Sequence, residues 1–166
     1  MANDYTSEDM APNMDALFQQ GLSDQQAVEA EKKLTPPTDT YTSTPPLAVT
    51  VRKYEAKDGK PERVMFRAYG AFTGRHTAKE IRHSFQFSPD LMEVTDDRTG
   101  ELKYDRASQN YILLRRAYQK VFGQFPATPG DIKNYMEQYP LGIRGVQYDG
   151  SNGPAFGTFN IFAVTA

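Results

Sequence analysis

Apolar and polar positions alternate along Leu47–Phe87 in three successive runs. The first places Leu47, Val49 and Val51 on one face and Thr50, Arg52 and Tyr54 on the other. The second places Val64, Phe66, Ala68 and Phe72 opposite Arg63, Met65, Arg67 and Tyr69. The third places Ile81, His83, Phe85 and Phe87 opposite Arg82, Ser84 and Gln86. A period of two predicts half-buried strands with one face on a core. Between the first two runs, Asp58-Gly59 supplies the positive-φ position of a tight turn. Gly70, inside the second run, predicts a bulge or sharp bend.

Downstream the period changes. Residues 105 to 122 read as a helix capped by Asp105 and ended by Gly123, with Tyr111, Leu114, Tyr118, Val121 and Phe122 as its buried stripe. Thr128-Pro129 starts a second, shorter helix with Ile132, Tyr135 and Met136 on its apolar side. A last hairpin, LGIRGVQY-DGSNGP-AFGTFNIFAVTA, sets Phe159, Ile161 and Ala163 against Phe156, Phe162 and Val164. Both of its sides are apolar, which predicts a central or barrel-closing strand. Three strands, helices, then two strands is the order of a mainly β, small Greek-key barrel of OB type, with its helix between strands three and four. A generic α+β sandwich is the alternative. The domain is assigned to 47–166. Residues 34–46, with four prolines, form an extended linker, although Tyr41 already reads as anchored on an entering edge strand. Residues 1–33 form an acidic, largely disordered arm.

Charge sharpens this outline. The chain of 166 residues is net −2, but residues 1–31 carry seven acids and no Lys or Arg, and the remainder is net +5. The window from Arg52 to Phe85 alone holds nine Lys or Arg against four acids. An acidic arm on a basic body concerns partners: the arm competes with a polyanion for the basic face, recruits a basic protein, or only solubilises. Within it, Met14, Leu17 and Phe18 fall near one helical face and are candidate partner-docking residues. No Cys is present, which removes disulfides, thiolate metal sites and cysteine nucleophiles. No apolar run approaches the ~20 residues of a membrane helix. The N-terminus resembles neither a signal nor a transit peptide, so a cytoplasmic setting is expected.

The outward faces of the first two strands carry Arg and Tyr side by side, a combination suited to single-stranded nucleic acid: bases stack on rings and cations track phosphates. The candidate contacts are Arg52, Lys53, Arg63, Arg67, Arg75 and Arg82 for phosphates and Tyr54 and Tyr69 for bases. A plain solvated hairpin surface has the same composition. On the first helix, Arg115, Arg116 and Lys120 either extend such a groove or form a solvated face.

The segments PPTDTY, VRKYEAKDGK, Gly74-Arg75, IRHSFQF, Phe122-Gly123 and YPLGIRGVQYDG follow one another over residues 36–166. In spacing and residue type this outline resembles phage-encoded single-stranded-DNA-binding-like proteins. The resemblance implies an OB fold and a role in phage replication or recombination, hence in the host cell cytoplasm, with replication or recombination proteins as further partners. The chain departs from that outline in carrying its acidic segment at the N-terminus, where such proteins usually carry it at the C-terminus.

Two other readings share these residues. One is a protein-interaction or virion accessory module working through the arm. The other is a metal-dependent nuclease: Asp90, Glu101 and Lys103 match a loose pattern of two carboxylates and an ammonium suited to phosphodiester hydrolysis. His76 and His83, the only histidines, make no metal site between them. No phosphate-cradling loop or nucleophile–base pair is legible, and no cofactor is expected.

Overall fold

A computed structural model describes residues 25–164. Six of its eight strands form one antiparallel sheet: β1 (Asp39–Ser43), β2 (Ala48–Tyr54), β3 (Arg63–Gly74), β4 (Glu80–Phe87), β7 (Leu141–Gly150) and β8 (Gly153–Ala163). The remaining two, β5 (Glu93–Thr95) and β6 (Leu102–Tyr104), make a separate small hairpin. Helix α1 covers 25–34, α2 Arg106–Phe122 and α3 Pro129–Gln138.

β3 organises the sheet. One edge pairs with β4 from Phe66 to Thr73. The other edge is shared, with β2 along Arg63–Tyr69 and β1 along Phe72–Gly74. β1 also pairs with β7, and β7 with β8. If β1 and β2 are counted as one broken strand, this is a five-stranded OB-like barrel, with α2 and α3 between its third and fourth strands. The barrel is not fully closed, since no ladder joins β4 to β8 among the described strands. Helix α2 packs against both of them, and His83 Nε2 lies 2.7 Å from Thr158 Oγ1 across the gap.

The alternating runs bury the faces they predict within the barrel: Ala68, Phe72, Phe85 and Phe87 are core residues, joined by Leu114, Ile132, Tyr135, Met136, Ile143 and Ile161. Asp105 caps α2 by accepting from Ser108 N, and Gly123 ends the helix in the left-handed region. Thr128 and Asp131 form a capping box on α3.

Four sequence expectations change. Residues 34–46 are not simply a linker: β1 lies between β3 and β7, with Asp39, Tyr41 and Ser43 buried, so Tyr41 is central rather than on an edge. Residues 25–33, assigned to the disordered arm, are helical. No register shift occurs at Gly70, which pairs directly with His83. Its missing side chain serves close packing instead, because a Cβ there would lie 2.6 Å from Leu47 Cδ2. The register shift lies in the last hairpin, at Arg144/Gly145 opposite Thr158–Asn160. β8, expected to be a central or barrel-closing strand, pairs only with β7 among the described strands.

The helix stripe also moves. α2 buries Ala107, Ser108, Asn110, Leu114 and Ala117, while Val121 and Phe122 stay exposed. Val51 is 63% exposed because residues 50–54 of β2 leave both strand faces in solvent.

Candidate nucleic-acid interface

Strand register fixes which side chains share the outer surface. Thr50, Arg67 and Gln86 stand in one row across β2, β3 and β4. Ala48, Tyr69 and Ser84 form the next row, about 7 Å along the strands. Arg52 opposite Met65, then Tyr54, continue the face towards the hairpin tip, and Arg82 opposite Ala71 extends it the other way. The neighbours of Arg67 and Tyr69 within their rows are small or uncharged, so both side chains stand clear. Tyr54 and Tyr69 are 42% and 45% exposed, enough ring surface for a planar partner. The Arg52 guanidinium sits 5.2 Å from the centre of the Tyr54 ring. A shallow depression of about 310 Å³ opens here, lined by Thr50, Arg52, Tyr54, Met65, Arg67 and Gln86 among others. No carboxylate among the described residues pairs with Arg52, Arg67 or Arg82. Their charge faces solvent.

Three of the expected phosphate contacts lie elsewhere. Lys53 has the opposite parity to Arg52, projects from the other side of β2 and pairs with Glu62 at 2.7 Å. Arg75 lies in the β3–β4 loop, where its N–H donates to Thr40 O. That is beyond the end of β3, off the rows just described. Arg63 shares the parity of Arg67 but is only 8% exposed. Its guanidinium donates through Nη1 and Nη2 to the two carboxylate oxygens of Asp105, at 2.6 and 2.9 Å. It donates further to Ser108 Oγ and Ser88 Oγ. Burial opposes ionisation of Asp105, but the bonds from Arg63 and Ser108 outweigh it and hold its carboxyl below the ordinary 3.8. Arg63 thus ties the start of β3 to the N-terminus of α2 and has no donor to spare for a phosphate. Met14, Leu17 and Phe18 lie outside the described residues.

The other chemical candidates are dispersed. Asp90 Oδ2 accepts from Val64 N, Lys103 pairs with Asp96 at 3.0 Å, and Glu101 is exposed beside the turn joining β5 to β6. No group of three or more acids or histidines able to hold a metal occurs among the described residues. His83 is half-buried, and burial pushes its pKa below 6.5. His76 donates its backbone N–H to Asp39. That carboxyl is nearly sealed from solvent, which opposes its ionisation, yet bonds from Thr77, Thr40 and His76 keep it below 3.8.

One ring cluster escaped the sequence reading. Tyr148 on β7 and Phe159 on β8 meet edge to face at 5.9 Å, and the Arg106 guanidinium lies 5.0 Å from the Phe159 ring centre. Both rings are nearly half exposed. Phe159 faces out because β8 carries an extra residue opposite Arg144/Gly145. Strict alternation instead places it with the buried Ile161. Gly157 makes room beneath: a Cβ there would approach the Phe159 and Tyr148 rings at 3.3 and 3.4 Å. The only advance signal was the glycine spacing of GPAFGTF.

No family model, curated protein or solved structure matches this chain. No helix among the described residues is long and apolar enough to cross a membrane.

Proposed function

We propose that this chain binds single-stranded DNA, without catalysis, as a phage-type replication or recombination protein acting in the host cytoplasm. One observation carries the reading: Arg52, Tyr54, Arg67, Tyr69 and Arg82 share a single outer surface of β2–β3–β4 with no carboxylate among the described residues pairing the arginines. In Greek-key barrels of this kind, the second and third strands and the loops beside them carry oligonucleotides. Counted that way, β3 and β4 are those strands. Arginines placed between exposed rings suit a flexible polyanion whose bases are unpaired. A rigid duplex would not bring base faces to Tyr54 and Tyr69. Three arginines are a modest electrostatic footprint, so affinity is moderate and sensitive to salt.

The test is a fluorescence-anisotropy titration with single-stranded DNA, duplex DNA and RNA at several salt concentrations. Three phosphate contacts give a slope of log K against log salt of about −2 for single strands, and Arg67→Ala reduces its magnitude by about 0.7. Tyr69→Ala weakens binding by about 1–3 kcal/mol if a base stacks there. Absence of binding even at low salt rejects the proposal and favours an interaction module working through the acidic arm.

A further inference from the structure

The outer surface of β4 does not end at a closed wall. The gap between β4 and β8 opens as a second depression of about 200 Å³. Ser84 and Gln86 line it on the β4 side, and Arg106 and Gly157 on the other. Gln86 also lines the first depression, beside Arg52, Tyr54 and Arg67. The two hollows therefore share a wall, and its top is one uncharged polar side chain. Immediately past Arg106 and Gly157 stand the Phe159 and Tyr148 rings.

We infer that a single strand bound on β2–β3–β4 continues over Gln86, crosses the β4–β8 gap and stacks on a second platform made of Phe159 and Tyr148, with Arg106 taking a phosphate beside it. The inference rests on the reading of the outer face as a single-strand site. The chemistry of the first platform is repeated: two half-exposed rings and a cation lying against one of them. Arg106 makes no ion pair among the described residues. Its guanidinium is thus free to serve a polyanion while still touching the ring. The gap itself presents Gln86 and Asn110, and Asn110 Nδ2 is already committed to Gln86 O. The crossing mixes polar Ser84, Gln86 and Asn110 with apolar Phe156 and is lined by no acid, so a phosphate meets no carboxylate along it. Exposed base-stacking rings without hydrogen-bond readout make this extension tolerant of sequence.

The experiment is a length series of oligothymidylates, from about 4 to about 16 nucleotides, the span of sites known for one such fold. Binding is measured for the full chain and for Phe159→Ala, Tyr148→Ala, Phe159→Leu, Arg106→Gln and Tyr69→Ala. Phe159→Leu keeps apolar bulk over Gly157 and removes only the ring, so it remains informative if the alanine variant folds poorly. In the inference's favour, Phe159→Ala and Phe159→Leu weaken the longest oligomers about fivefold or more and leave the shortest unchanged. Tyr69→Ala then weakens both. If Tyr69→Ala weakens every length and the Phe159, Tyr148 and Arg106 variants weaken none, the strand stops at β4 and the inference is overturned alone. If no variant changes the affinity at any length, the underlying reading falls with it.

Discussion

Replacing Arg63 separates a fold contact from a ligand contact. Arg63→Ala removes both guanidinium bonds to Asp105 and strands that carboxylate beside the α2 N-terminus, where the Asp105 side chain keeps 21% of its exposure. Breaking a fully buried pair by deleting one partner costs about 3–5 kcal/mol. The residual exposure places this case near the lower bound, about 3 kcal/mol, which is a large share of the 5–15 kcal/mol typical of a domain. With a urea m-value of about 2 kcal/mol/M, the unfolding midpoint falls by about 1.5 M. Arg63→Lys keeps the charge but not the two-pronged geometry and falls between. Circular dichroism in urea reads the midpoint, and anisotropy at low temperature reads DNA affinity in the folded fraction. Arg63 is walled in by Ser88, Asp105 and Ser108, so that affinity does not change. A midpoint shift below about 0.5 M together with weakened DNA binding would refute the reasoning and return Arg63 to the list of phosphate contacts.

Four further outcomes follow. The Tyr135 hydroxyl is buried without a hydrogen-bond partner among the described residues, and burial pushes its pKa up to about 12; Tyr135→Phe keeps the ring packing and leaves stability equal or up to about 1 kcal/mol higher by urea denaturation. Burial lowers the His83 pKa, so the unfolded chain takes up its proton first: stability declines as pH falls below 6.5, until the lowered folded value is reached. His83→Gln lacks that slope in pH-dependent melts, and a slope unchanged in the variant assigns it elsewhere. Asp39 and Asp105, both depressed, add stability that is present above 3.8 and lost as pH falls through their lower folded values. Residues 1–24 hold five acids and no base; if the arm competes with DNA, deleting them tightens low-salt binding, and unchanged affinity discards the competition.

Period-two patterning identified β3 and β4 and their buried faces, because a one-residue slip would expose Phe72 or Phe85. It also placed Arg52, Tyr54, Arg67 and Tyr69 on a common side. It failed where burial is decided by distant partners. Arg63 and Arg67 have identical parity, but only Arg63 meets a carboxylate, 42 residues away at a helix cap. Lys53 was grouped with Arg52 by composition, although alternation already separates adjacent residues. Phe159 was misplaced because one inserted residue inverts the pattern beyond it. β1 was read as linker because prolines flank a strand of only five residues, whose partners lie far along the chain.

That short strand has a consequence for how the protein comes into being. Tyr41 pairs with Ile143, and Asp39 with Gly145, across roughly two-thirds of the polypeptide. On a ribosome, the N-terminal half can assemble the β2–β3–β4 meander early, since its pairings are local. β1 must then wait, one edge unoccupied, for β7, which starts more than fifty residues after β4 ends. The nascent chain thus holds the arginine- and tyrosine-bearing face on a sheet that is still open at its middle.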